Sequence, residues 1–369
     1  MSVYLNERTK ALLPYIPGEQ PRDRKFIKLN TNENPYPPSS RVIDAIQKAA
    51  GDCLRLYPDP SCTELREAAA ARYGIRTSQV FPGNGSDEVL AFAFAAFFGN
   101  GTLLFPDISY SFYPVYADLW NIPYKTIPLN PDFTIDSNAY LLPDEGLENF
   151  GGIILPNPNA PTGIALPLET IKKIAEAAEK RKRVLVVDEA YIAFADGEGI
   201  ATALPLINEF PNLLVVRTLS KEASLAGLRV GFAMGGEELI NGLCRVRDSF
   251  NSYTLDRLAM AGAAAAIADA PYYEDINRRI VATRHRVEAG LEALGFALLP
   301  SQANFVFAAP PPRCGKSGRE FFGELRERGI LVRHFDKKRI ADFLRISIGT
   351  DEDMDIFLSA CKAIMGNGK

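Results

Sequence analysis

The feature that most constrains this chain is a rhythm of short apolar runs separated by helical stretches across its first two-thirds. GGIILPNP (151–158), RVLVVDEA (183–190) and LLVVRTLS (213–220) read as strands, and ETIKKIAEAAEK (169–180) carries apolar residues at helical spacing between the first two. Upstream, TLLFP (102–106) and the stretch around YKTIPL (124–129) repeat the pattern, with GNGSDEVLAFAFAAFF and YSFYPVYADL as the intervening helices. Apolar strands alternating with helices predict an α/β fold, with a mainly parallel sheet buried between helices on both faces.

The chain of 369 residues exceeds the roughly 250–300 at which single cores stop growing, so a large and a smaller unit are expected. Residues 1–40, rich in Pro, Asn and charge, read as an extended arm that must lean on the small domain or on a partner subunit. A large unit follows over 41–260, opening with helical patterns at VIDAIQKAA and from Thr63 through ELREAAARY. Between about 245 and 275 the character changes: an Ala-rich helix and a long charged helix lead into a small α+β unit over 261–369. Its strands are expected at ANFVFAA, ILVRHF and FLRISIGT, between the helices GREFFGELRERG and DEDMDIFLSACKAIMG.

At 47 % hydrophobic and 23 % charged residues the composition is that of a soluble globular protein. Net charge is −4 with no long basic run, which argues against nucleic acid as a partner. Cys53, Cys62, Cys244, Cys314 and Cys361 are scattered and form no C-x-x-C, and the only histidines are His285 and His334. A disulfide framework, a metal centre and a histidine triad are all disfavoured. MSVYLNERTK lacks the apolar core of a signal peptide, and the longest apolar stretch, Val89 to Phe98, is about half a membrane span. A cytoplasmic protein with no membrane contact is expected.

Three stretches could carry chemistry. Asp188 stands at the carboxyl end of an apolar strand, where open α/β sheets place ligand-binding groups, although alone it reads equally as the cap of a following helix. Gly85, Ser86 and Asp87 open a strongly apolar helix whose exposed N–H groups suit an anion, although a simple capped helix also explains them. RTLSKEASLAGLR (217–229) follows a strand and offers Ser220, Lys221 and Arg229. A nucleophilic lysine must be partly desolvated, and an arbitrary lysine is usually a solvated one. The weight comes from all these groups falling at strand ends of one sheet.

In this order the set resembles pyridoxal-phosphate enzymes of the class I/II aminotransferase superfamily, which have the aspartate-aminotransferase fold, fold type I. More narrowly it is similar to the histidinol-phosphate aminotransferase family. The resemblance spans nearly the whole chain: LLPY (12–15), LNTNENPYPPS (29–39), LYPDP (56–60), GNGSDE, PNPNAPTG (156–163), VVDEAYIAF, RTLSKEASLAGLRVGF, SQANFVF (301–307), GILVRHF (329–335) and LRISIGT (344–350).

The resemblance implies that Lys221 anchors pyridoxal 5'-phosphate as a Schiff base and serves as general base, that Asp188 pairs with the pyridine nitrogen, and that Tyr191 bonds the ring's phenolic oxygen. Tyr110 would stack on the ring. Gly85, Ser86, Asp87, Ser220 and Arg229 would hold the phosphate, joined by Tyr57 from the partner subunit of a homodimer with shared sites. Arg345 would grip the amino donor's carboxylate, with Arg333 and Tyr15 completing the anion pocket. The implied reaction exchanges the amine between L-histidinol phosphate and 2-oxoglutarate, giving imidazole-acetol phosphate and L-glutamate. An aromatic-amino-acid aminotransferase and a threonine-phosphate decarboxylase would share these cofactor residues, and a cofactor-binding regulatory module would keep the fold. A nucleotide-dependent dehydrogenase would share the sheet but needs a third glycine that GNGSDE lacks.

Two positions depart from the family. Ala160 stands where an asparagine usually bonds the ring oxygen, leaving that oxygen to Tyr191 alone or with Asn159 substituting from one residue earlier. Glu222, after the lysine, replaces a small or neutral residue; it either raises the lysine's pKa or points away.

Overall fold

A computed structural model describes residues 3–21, 24–141 and 149–366. Seven strands form the central sheet: β1 (Val80–Asn84), β2 (Thr102–Pro106), β3 (Tyr124–Ile127), β4 (Phe150–Pro156), β5 (Leu185–Asp188), β6 (Leu213–Thr218) and β7 (Val230–Gly235). Their order is β1-β7-β6-β5-β4-β2-β3. The four pairings from β6 through β3 are parallel, whereas β7 runs antiparallel to both β6 and β1.

The pattern of the sequence explains this layer. β4, β5 and β7 are buried at every position because helices cover both faces. One face packs on the helices Gly85–Phe97 and Phe112–Trp120, with Phe81, Phe94, Phe105 and Tyr113 fully buried between them. The other face meets Leu168–Lys180, whose Ile171, Ile174, Ala175 and Ala178 form a buried stripe at helical spacing. Gly231 permits a close approach of β7 to the start of the helix Gly85–Phe97, since a Cβ there would lie 2.4 Å from the backbone nitrogen of Ser86.

The expected long helix is Ala270–Ala293, and it bridges two cores. Tyr273 and Ile276 pack with the large sheet, whereas Ile280, Val287 and Leu291 pack with the C-terminal elements. That second core is built on a four-stranded antiparallel sheet, in which Arg333–His334, Leu344–Ser347, Phe305–Ala309 and Ala297–Leu299 lie side by side in that order. The ILVRHF stretch splits in two: Arg333–His334 joins this sheet, while Ile330–Leu331 pairs in parallel with Ile27–Lys28.

The arm is not extended throughout. Glu7–Ala11 makes one helical turn, because Asn6 caps it by accepting from the Thr9 N–H at 2.8 Å and Glu7 lies in its first turn. Among the described residues no helix is long and apolar enough to cross a membrane, and no cluster of side chains suits a metal ion.

Candidate functional site

The carboxyl ends of the parallel strands open into one cavity of ≈ 500 Å³. β5 delivers Asp188, β6 runs into the short helix Leu219–Glu222 that carries Lys221, and the helix Gly85–Phe97 starts where β1 stops. The loop after β4 adds Pro156, Pro158 and Ala160. The arm closes one side with Tyr15 and Asn30 to Glu33, and the C-terminal strands contribute Arg333 and Arg345.

Asp188 is 5 % exposed, and burial pushes its carboxyl up to about 6 against the hydrogen bonds it receives from the Tyr113 hydroxyl, at 2.9 Å, and the Ala190 N–H. Its other oxygen, Oδ1, is buried without a partner among the described residues. A buried, half-satisfied carboxylate in a cavity wall is poised for a cationic ligand. Across the cavity, Lys221 Nζ donates to the Thr31 carbonyl at 3.0 Å. Burial, followed by the charge of Arg345, lowers its pKa to about 8, while Glu33 and Asp87 oppose the shift. A substantial share of its amine is therefore neutral, hence nucleophilic, near pH 8.

At the helix start Arg229 Nη2 pairs with Asp87 at 2.8 Å and Nη1 reaches Ser220 Oγ at 3.4 Å. Tyr110 donates to the other oxygen of Asp87 at 2.8 Å. Gly85 has φ +77°, and a Cβ there would lie 2.4 Å from Arg229 Nη2, so the guanidinium rests directly on the glycine. The result is a concavity of backbone N–H groups, a hydroxyl and a guanidinium that suits an anion of phosphate type.

The opposite end is a second cationic region. Arg345 is half-buried over the ring of Phe305 with its carbon 5.4 Å from the centroid; Nη2 donates to the Asn30 carbonyl at 3.0 Å, and Nε has no partner among the described residues. Arg333 reaches the Ile16 carbonyl at 3.4 Å, and Tyr15 stacks on Phe112 with centroids 4.3 Å apart. Tyr191 sits edge-on to Phe305 at 5.1 Å and receives the Asn32 amide on its hydroxyl at 3.0 Å.

Three of the expected residues do not line this cavity: Gly85, which lies beneath Arg229, Asn159, and Tyr57, which was expected at the partner subunit's site. Tyr57 is 79 % exposed and stacks on Tyr253 at 4.6 Å, away from the cavity lining. Asn159 is fully buried, and its amide is committed to the Ile108 carbonyl and the Thr162 hydroxyl, both at 3.0 Å. Ala160 lines the wall in its place. Glu222 points away: it pairs with Arg217 at 2.6 Å and lines a different cavity of ≈ 510 Å³. Sequence reasoning missed Asn32, Thr31, Tyr113 and Ser347. Tyr113 is camouflaged in an aromatic-rich helix, and Asn32 in a polar arm whose only signal is its density of asparagines.

The model of the family "Aminotransferase class I and II" matches residues 24–361. A histidinol-phosphate aminotransferase of Clostridium acetobutylicum is 53 % identical over 367 residues, covering 98 % of this chain and 99 % of that protein. Histidinol-phosphate aminotransferase 1 of Bordetella parapertussis is 52 % identical and covers 100 % of both. Among solved structures, the Sinorhizobium meliloti histidinol-phosphate aminotransferase in complex with pyridoxal-5'-phosphate superposes with a TM-score of 0.87 at 25 % identity, over 100 % of this chain and 99 % of that one. A mutant Thermus thermophilus aspartate aminotransferase shares the fold, with a TM-score of 0.83 at 20 % identity over 98 % and 100 % of the two chains.

Proposed function

We propose, from the premise that this chain belongs to the class I and II aminotransferase family, that it is a pyridoxal-phosphate-dependent histidinol-phosphate transaminase of histidine biosynthesis. In this reading the amine passes between L-histidinol phosphate and 2-oxoglutarate, yielding imidazole-acetol phosphate and L-glutamate. The observation that carries it is the pair formed, in one cavity, by Lys221, desolvated to a pKa of about 8, and Asp188, whose buried Oδ1 lacks a partner among the described residues.

The cavity's residues fit pyridoxal 5'-phosphate end to end. Asp188 Oδ1 would take the pyridine N–H, Tyr191 would donate to the phenolic oxygen, and Tyr110 would cover the ring. Gly85, Ser86, Asp87, Ser220 and Arg229 would hold the phosphate, and Lys221 Nζ would carry the covalent link. The bound cofactor supplies an electron sink for the electrons of a broken bond at the substrate's amine-bearing carbon. Lys221 Nζ, which would hold the cofactor, would also be the amine placed to move a proton at the substrate's amine-bearing carbon, so a single amine would serve as anchor and as general base. Arg345, with Arg333 and Tyr15, binds the anionic group of either substrate: a carboxylate in glutamate, a phosphate in histidinol phosphate. Because one cationic end serves both, the two half-reactions follow in turn at one site.

Tyr57, exposed and outside its own chain's cavity, suits a residue that reaches the phosphate of the partner's site in a homodimer. We place the enzyme in the cytoplasm, with small metabolites as its substrates.

The test is a half-reaction assay. Cofactor-loaded protein is mixed separately with histidinol phosphate, phenylalanine and threonine phosphate while the cofactor's absorbance is followed. Conversion by histidinol phosphate should be faster by orders of magnitude; equal or faster conversion by either rival would reassign the substrate.

A further inference from the structure

The hydroxyl of Tyr191 has a direction, set by Asn32 in the cavity wall and by Ser347 behind it. Asn32 is 1 % exposed and sits in the left-handed region, φ +55°, which brings its backbone N–H and its side-chain oxygen to the same neighbour. That neighbour is Ser347, 2 % exposed, on the strand Leu344–Ser347. Ser347 Oγ accepts the Asn32 N–H at 2.8 Å and donates its proton to Asn32 Oδ1, also at 2.8 Å. With Oδ1 thus engaged, Nδ2 is the amide end that meets Tyr191 Oη at 3.0 Å. Turning the amide over would leave the Ser347 proton without an acceptor among the described residues. Asn304 Nδ2 pins the Asn32 carbonyl at 3.1 Å, so the backbone is held as well.

A hydroxyl that accepts from an amide has its own proton free to point elsewhere. Tyr191 lines the cavity, so its proton is available to a ligand oxygen there. We propose that Ser347 and Asn32 are positioning residues that fix Tyr191 as a hydrogen-bond donor into the cavity. The proposal rests on the cofactor reading above, in which the ring's phenolic oxygen receives that proton. It bears on this chain in particular, because Ala160 offers no side-chain donor from the neighbouring wall and Asn159 is committed elsewhere.

A donor to an anionic oxygen favours the deprotonated form of the group it bonds. Loss of the Tyr191 donation should therefore raise the pH midpoint of the cofactor's visible absorption change. Ser347→Ala removes one hydroxyl, introduces no charge and frees the Asn32 amide to turn. In the cofactor-loaded protein it should raise the midpoint by about half a pH unit or more, on the order of a weakened hydrogen bond to a charged group. Tyr191→Phe should raise it further, and adding Ser347→Ala in that background should raise it no more. Asn32→Asp, whose carboxylate accepts from both Ser347 and Tyr191, should raise it at least as far as Ser347→Ala does.

An unchanged midpoint in Ser347→Ala would overturn the proposal, and so would an equal shift in the Tyr191→Phe background. Failure of the unmodified protein to form any titrating band with pyridoxal phosphate would instead strike the cofactor reading, and the two results are distinguishable. Unfolding midpoints of the cofactor-free variants, matched to the parent, show that each is folded.

Discussion

Tyr113 gives its phenolic proton to Asp188 Oδ2 at 2.9 Å, and both side chains are buried beneath the cavity. The bond leaves Oδ1 as the oxygen with no partner among the described residues, so an aromatic residue of the sheet's covering helix aims a charged group of the site.

The stability consequence has a definite sign. Burial raises the Asp188 carboxyl from 3.8 to about 6, so the neutral form is the one the fold favours. That stabilisation is fully present below about pH 4 and is lost as pH rises through about 6. Asp188→Asn is neutral throughout and keeps an acceptor for Tyr113. In cofactor-free protein it should be more stable than the parent by roughly 3 kcal/mol at pH 7.5, and little more stable near pH 4. Urea unfolding at the two pH values checks this. The same variant should lose about 10² to 10⁴ in turnover once loaded, and a variant with normal turnover would remove Asp188 from the ring nitrogen.

Lys221 makes the complementary prediction. Only its neutral amine attacks a carbonyl, so capture of pyridoxal phosphate by the cofactor-free protein should accelerate with pH through a midpoint of about 8. Arg345 is the largest cationic contributor to that depression, after burial itself. Arg345→Gln should therefore move the midpoint upward, toward the ordinary 10.5, in a stopped-flow absorbance titration. A midpoint that stays put would mean that burial alone sets the lysine. Lys221→Arg should abolish capture and turnover together.

Glu222, although next to Lys221 in sequence, settles its side chain on Arg217 in a pair with 14 % and 11 % exposure. Removing one member of such a pair strands the other charge, at a cost of about 3 kcal/mol. Glu222→Gln should lower the unfolding midpoint accordingly while leaving the pH midpoint of cofactor capture unchanged. A shifted capture midpoint would show that the carboxylate acts on Lys221 after all.

These residues also mark what a sequence makes legible. The sheet was readable because strands buried on both faces leave uninterrupted apolar runs, and Asp188 and Lys221 stood out as polar groups where such runs stop. The antiparallel course of β7 was not readable, since periodicity carries no strand direction. Nor was the heading of Glu222, because on a four-residue helix one step of rotation separates the cavity from the opposite side. Asn32 and Ser347 lie 315 positions apart, and their bond exists only once the arm has packed on the C-terminal strands. The exposure of Tyr57 is likewise a property of the fold, and a tyrosine among prolines reads the same whether it faces a partner or water.

The cationic end of the cavity separates the two half-reactions. Arg345 is braced by the Asn30 carbonyl at 3.0 Å and by the Phe305 ring, whereas Arg333 makes a longer bond, to the Ile16 carbonyl at 3.4 Å; both guanidinia lie 5.6 Å from the centre of the Phe335 ring. A phosphate offers more acceptor oxygens and more charge than a carboxylate, so it can engage both guanidinia, while a carboxylate is satisfied by one bidentate partner. Arg333→Gln should therefore weaken histidinol phosphate more than glutamate. Loss of one hydrogen bond to a charged group corresponds to about 10- to 100-fold in kcat/KM for the phosphate substrate. The effect on the glutamate half-reaction should be several-fold smaller. Arg345→Gln should impair both, because it removes the guanidinium that either anion needs. Single-turnover kinetics with each substrate, followed through the cofactor's absorbance, distinguish the outcomes. Equal losses for both substrates in Arg333→Gln would mean that the two arginines act as one undivided anion site.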